Sequence, residues 1–203
     1  MRMVHQGCAL TMKPVVAASA FTTYDPAKKG SQITLSNGNL TFVGTLDSAV
    51  AVVRGFASGD KKHWENIITP AAALSIRMGV AKSTTNFEGR LGGDISGVGY
   101  ANSGIVRCGN TIIASFAAYT GNDRLTCEFN ADATVANRTL QFFKNGVSVG
   151  TVTEALMATA ASSFAGTWYA AGGSLSNPSG AVSNFGASAW LDTPTAGFDG
   201  IAA

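Results

Sequence analysis

Leu140-Gln141-Phe142-Phe143-Lys144-Asn145-Gly146-Val147-Ser148-Val149-Gly150 is the stretch that decides the fold class of this chain. Apolar and polar residues alternate on both sides of Asn145-Gly146, the period of a strand that buries one face. Asn-Gly supplies the positive φ that a tight hairpin turn demands. The stretch therefore predicts two antiparallel strands joined by a tight turn. The same device appears upstream, where Ile33-Thr34-Leu35 and Leu40-Thr41-Phe42 flank Asn37-Gly38.

Working outward, further strands are predicted at Ala49 to Arg54, His63 to Ile68, Ser75 to Ala81, Thr111 to Ala117, Arg124 to Phe129 and Trp168 to Gly172. The 24 glycines fall mostly between these runs and mark turns. Helical signal is confined to one turn beginning at Pro70 to Leu74 and to the Ala-rich Glu154 to Ala161, which reads as a short helix or a loop. Many short strands with glycine-rich turns predict an all-β antiparallel sandwich. At 203 residues, without an internal repeat or low-complexity linker, one such domain accounts for the chain from residue 24 to 203. Residues 1 to 23 carry no clear period and read as an arm that docks on something else.

Charge is scarce. Charged residues make up 13% of the chain, about half the usual share of roughly 25%. A freely solvated surface normally carries more, so neighbouring subunits are expected to cover part of this one. Net charge is +2, and the longest basic runs are the pairs Lys28-Lys29 and Lys61-Lys62. Binding nucleic acid needs clustered cations facing phosphates, so no nucleic-acid partner is expected. No apolar run approaches the ~18 residues of a membrane helix, so no membrane insertion is expected. Lys13-Pro14 interrupts what would be the apolar core of a leader ending at Ala18-Ser19-Ala20, which argues against secretion. Cys8, Cys108 and Cys127 are scattered and odd in number, so free thiols are expected, with a Cys108–Cys127 bridge as the alternative.

Catalytic patterns are missing. Sugar hydrolysis needs two carboxylates at a set separation, and Glu65, Asp94, Glu128 and Asp132 show no such spacing. A nucleophile–His machine would have to use His5 or His63. Gly92-Gly93 precedes neither a helix start nor a lysine at phosphate-loop distance. Neither a cofactor nor a metal is expected, and the chain reads as non-enzymatic.

Six motifs in order resemble the SPRY domain, in the form common in bacteriophage structural proteins: Tyr24-Asp25-Pro26; Ser58-Gly59 to Trp64-Glu65; Ile76-Arg77-Met78-Gly79-Val80-Ala81; Leu91-Gly92-Gly93-Asp94 with Gly99-Tyr100; Leu140 to Val147; and Asn184-Phe185-Gly186 to Phe198. Tyr24 stands where a Trp is usual, His63 at an aromatic position, Val98 where a Trp precedes Gly-Tyr, and Asp192 where an aromatic is common. The resemblance implies a SPRY or concanavalin-like jelly roll used for recognition. It implies a virion protein made in the host cytoplasm. The implied role is a capsid decoration or tail-associated subunit on the particle exterior, in contact with other virion proteins or copies of itself. The alternative is an adhesin for a host-surface glycan or protein; a glycan hydrolase is a third reading.

Trp64, Trp168 and Trp190 sit in strand or closing motifs and are expected in the core. His63 and Glu65 are expected as packed structural groups. Loops on a rigid sandwich are where binding groups belong. The candidate ligand-binding residues are therefore Tyr100 and Asn102 in Gly99 to Gly104, Tyr119 and Asn122 before the next strand, and Asn177 and Ser179 in Gly173 to Gly180.

Overall fold

The computed structural model describes residues 21–202 apart from 72 and 73, and leaves the side chains of 176 and 177 undescribed. Residues 1–20, which hold His5, Cys8 and nearly all of the expected arm, lie outside the described residues, as does the centre of the turn expected at Pro70 to Leu74.

Among the described residues, twelve strands form one continuous antiparallel network. They are β1 (Tyr24–Lys29), β2 (Ile33–Ser36), β3 (Thr41–Val52), β4 (Lys61–Ile68), β5 (Ile76–Ala81), β6 (Gly97–Ala101), β7 (Ile105–Cys108), β8 (Thr111–Ser115), β9 (Arg124–Asn130), β10 (Thr139–Lys144), β11 (Val147–Thr153) and β12 (Tyr169–Asn184). The only α-helix among the described residues is α1 (Glu154–Ala158), where Thr153 caps the first turn by accepting from the Leu156 amide. Both hairpins form as expected: Asn37 and Gly38 have φ of 53° and 62°, and Asn145 and Gly146 have 51° and 83°.

Strand β12 makes the sandwich. Its first part, from Tyr169 to Ser174, pairs with β5, while Ala181 to Asn184 pairs with β4. Along its opposite edge it runs against β3, with the register broken between Ser176 and Ser179. From this spine one leaf continues through β5, β6, β7 and β8, and the other through β4, β9, β10 and β11. The two leaves face each other. The Tyr100 ring of β6 lies 4.9 Å from that of Phe142 in β10, and Trp64, Cys127 and Phe129 join the same core.

Two strand expectations need correction. The runs around Thr41 and Ala49 are one strand, because β3 spans both leaves. Gly173 to Gly180 is strand and not loop: small residues there let β12 lie between two neighbours, and Gly173 leaves no room for a Cβ beside the Ser48 carbonyl.

Cys108 and Cys127 are buried free thiols on β7 and β9. Burial pushes both thiols up, away from the reactive thiolate.

Candidate functional site

Side chains of a strand alternate between its two faces. In β4 this sends Trp64 and Ile68 into the core and His63, Glu65 and Ile67 outward; in β9, Leu125, Cys127 and Phe129 go in and Arg124, Thr126 and Glu128 go out. The outward residues ought to meet water. Residues 185–202 cross this face instead, as a strap without regular structure.

The strap is fastened mainly by carboxylates. Glu65 Oε1 accepts from the Leu191 and Asp192 amides at 2.8 and 2.6 Å, and Glu128 Oε1 accepts from the Thr195 amide at 2.8 Å. Asp192 receives a two-pronged hydrogen bond from Arg124 and a further one from Thr126. Lys62 pairs with Asp199 at 2.8 Å, and the Asp199 carbonyl accepts from the His63 amide. Trp190 sets its ring edge-to-face against His63, with centroids 4.5 Å apart. Trp190 is thus a strap residue half-buried against the sheet and not in the core, whereas Trp64 and Trp168 are in the core as expected.

His63 and Glu128 form a buried pair, with Nδ1 and Oε1 3.0 Å apart. Burial pushes the Glu128 carboxyl up, but bonds from His63 and Thr195 outweigh it and hold the group below its ordinary value near 4.5. For Asp192, burial is likewise outweighed by Arg124 and Thr126, which hold it below 3.8. Both folded values lie below the unfolded ones, so the native state binds fewer protons. The stability they contribute is complete above about pH 5 and is lost as pH falls through the lowered values. Acid titration of the melting temperature should therefore show a fall beginning below about pH 4.5, and Asp192→Asn should flatten it. A fall of equal size in that variant would exclude this origin.

The strap leaves a hollow on each side. One is a groove of about 290 Å³ along β4 and β12, lined by Ile67, Val182, Leu191, Leu40, Asn37 and Asn184. The other is a cavity of about 280 Å³ toward β9 and β10, whose lining includes His63, Thr126, Glu128, Phe143, Leu191 and Asp192. Leu191 belongs to both. A third hollow of about 300 Å³ lies among polar loop residues on the other leaf, including Asp47, Asn86, Arg90 and Asp94, where Arg90 and Asp47 pair with each other.

The residues nominated from sequence do not gather there. Tyr100 sits within β6, fully buried, and its hydroxyl donates to the Ala117 carbonyl. Burial pushes its phenol up to about 12. Tyr119 is also buried, its hydroxyl 2.9 and 3.0 Å from the Tyr100 and Ile76 carbonyls, and burial holds it well above its ordinary 10. These two belong to the core and not to a loop surface. Ser179 is buried in β12 and accepts from the Ser75 amide. Asn102 is half-buried, its side chain tying the Leu74 carbonyl and the Ile76 amide. Asn122 is exposed in a positive-φ turn, and Asn177 falls in β12 with its side chain outside the described residues. The strap face was missed, although the outward polar trio His63, Thr126 and Glu128 was visible as strand alternation.

No family model and no curated protein matches the sequence. Solved structures do match. The SPRY domain of human HERC1 superposes with a TM-score of 0.62 at 19% identity, covering 79% of this chain and 96% of that one. Stonustoxin gives 0.61 at 16% identity, covering 81% of this chain and 27% of its own. The TRIM65 PSpry domain gives 0.57 at 14%, covering 79% and 90%. The fold is that of a SPRY domain. The strap and its two hollows combine exposed apolar groups with buried charge.

Proposed function

We propose that this chain is a non-catalytic docking module of SPRY fold that binds a protein partner across the strap face. The supporting observation is the groove beside the strap. Ile67 and Val182 are register partners on adjacent strands, 42% and 40% exposed, and Leu191 of the strap, 62% exposed, lines the same groove. The one charged residue lining it, Glu65, is engaged with strap amides. A partly apolar groove whose one carboxylate is engaged by main chain suits an extended apolar segment of a partner.

The finer reading is a virion subunit on the exterior of a bacteriophage particle, as a capsid decoration or tail-associated protein. It is supported by the phage-type motif style and by a charged fraction of only 13%. An adhesin reading would have to work without Tyr100 and Tyr119 as stacking platforms, since both are in the core.

The test is incorporation. Purified particles should contain the wild-type chain, and Ile67→Asp/Val182→Asp should lower its copy number about 30-fold, the equivalent of ~2 kcal/mol at an interface centre. Both positions are exposed but stand opposite each other, so the paired carboxylates should lower the melting temperature by several °C without unfolding the protein. Absence of the wild-type chain from particles would remove the virion reading; equal incorporation of the variant would remove the groove.

A further inference from the structure

We propose that the cavity on the β9–β10 side of the strap receives a cationic nitrogen: the ammonium or guanidinium head of a lysine or arginine side chain carried by the docked partner. The inference rests on the docking reading and gives it a chemical specificity.

Two buried groups line this cavity, His63 and Glu128, at 1% and 2% exposure. Each has a polar atom, His63 Nε2 and Glu128 Oε2, without a hydrogen-bond partner. Such atoms are uncommon in folded proteins, because a buried acceptor without a donor costs free energy. Glu128 cannot relieve the cost by turning, since its Oε1 is held by His63 Nδ1 and the Thr195 amide. His63 Nε2 lies 3.9 Å from Glu65 Oε1, outside hydrogen-bond reach, so the ring stands between two carboxylates. The acceptor left to offer is Glu128 Oε2.

The surrounding charge has the same preference. Glu128 and Asp192 line this cavity, and the Arg124 guanidinium is committed to Asp192. An anion would meet carboxylate, whereas a donor-only cation satisfies the unmet Glu128 oxygen. Phe143 and Leu191 supply apolar wall for the methylene stem that lysine and arginine carry behind their charge. About 280 Å³ lies just below the usual range for a whole small-molecule ligand, which suits a single side chain. Leu191 lines both hollows, so a segment seated in the groove passes directly over the entrance.

The test is a two-dimensional NMR titration of the full chain with N-acetyl-arginine amide and N-acetyl-lysine amide, with N-acetyl-norleucine amide as the uncharged control. The expected result is saturable shifts at Thr126, Glu128, Phe143 and Thr193 with at least one cation and none with norleucine. Glu128→Gln keeps an oxygen for the Thr195 amide and should weaken binding at least tenfold. If that variant fails to fold, Asp192→Asn removes the other carboxylate from the cavity lining and should weaken binding as well. Absence of saturable shifts in the wild-type protein, or equal binding by the folded variant, would overturn the proposal. Incorporation of Ile67→Asp/Val182→Asp into particles reports on the groove alone, so failure of the cavity and failure of the docking reading are separately visible.

Discussion

Trp64→Ala should lower unfolding free energy by about 3–5 kcal/mol, enough to unfold much of the protein at moderate temperature. Trp64 is fully buried, near Phe56 at 5.7 Å between centroids. It stands opposite Cys127 in the register of β4 and β9, in the middle of the leaf that carries the strap. Truncation there would leave a hole that rigid strands on both sides cannot fill. Urea denaturation would measure the change, and a loss under about 1 kcal/mol would mean that the leaves collapse onto the hole.

Glu65→Ala is expected to cost about 3–5 kcal/mol for a different reason. The carboxylate holds two strap amides, and each charge-assisted bond contributes about 1.5–3 kcal/mol net. The damage should be local first. Hydrogen exchange at Leu191 and Asp192 should accelerate about 100-fold or more, while amides of β5 and β6 keep their protection. Uniform acceleration across both leaves would show that the strap is part of one cooperative unit with the sandwich. Either way the hollows lose a common wall, so partner docking should fall with the strap.

The strand pattern made the sandwich legible, and it did so through particular residues. Asn37-Gly38 and Asn145-Gly146 carried their turn geometry on their faces, because few other dipeptides accept positive φ twice. The ordered motifs from Tyr24 to Phe198 pointed to the SPRY fold, which the solved structures share. The binding face was far less legible. Tyr100 and Tyr119 stood among glycines, asparagines and alanines and so looked like loop aromatics. Gly99 is in fact a strand residue pressed against the Leu91 carbonyl, and both phenols bond to main chain inside the core. His63 and Glu65 are packed as expected, but alternation put them and Glu128 on the outer face, and period alone cannot reveal that the chain beyond β12 would cover them. Local pattern reports which side of a strand a residue takes, and only the path of distant chain decides what lies on that side.

Strand β12 has a consequence in time. It hydrogen-bonds to β3, β4 and β5, and so joins residues 41–81 to residues 169–184, with partners from 88 (Ala81 and Tyr169) to 141 (Thr41 and Val182) positions apart. Its partners are synthesised long before it. Pairings this remote in sequence close large loops before any contact offsets the lost entropy, which places such topologies among slow folders, in milliseconds to seconds. On the ribosome, β4 and β5 emerge with an unpaired edge that only the last quarter of the chain can fill. For that interval the nascent protein presents open strands to its surroundings, and a holding chaperone has a defined stretch to protect.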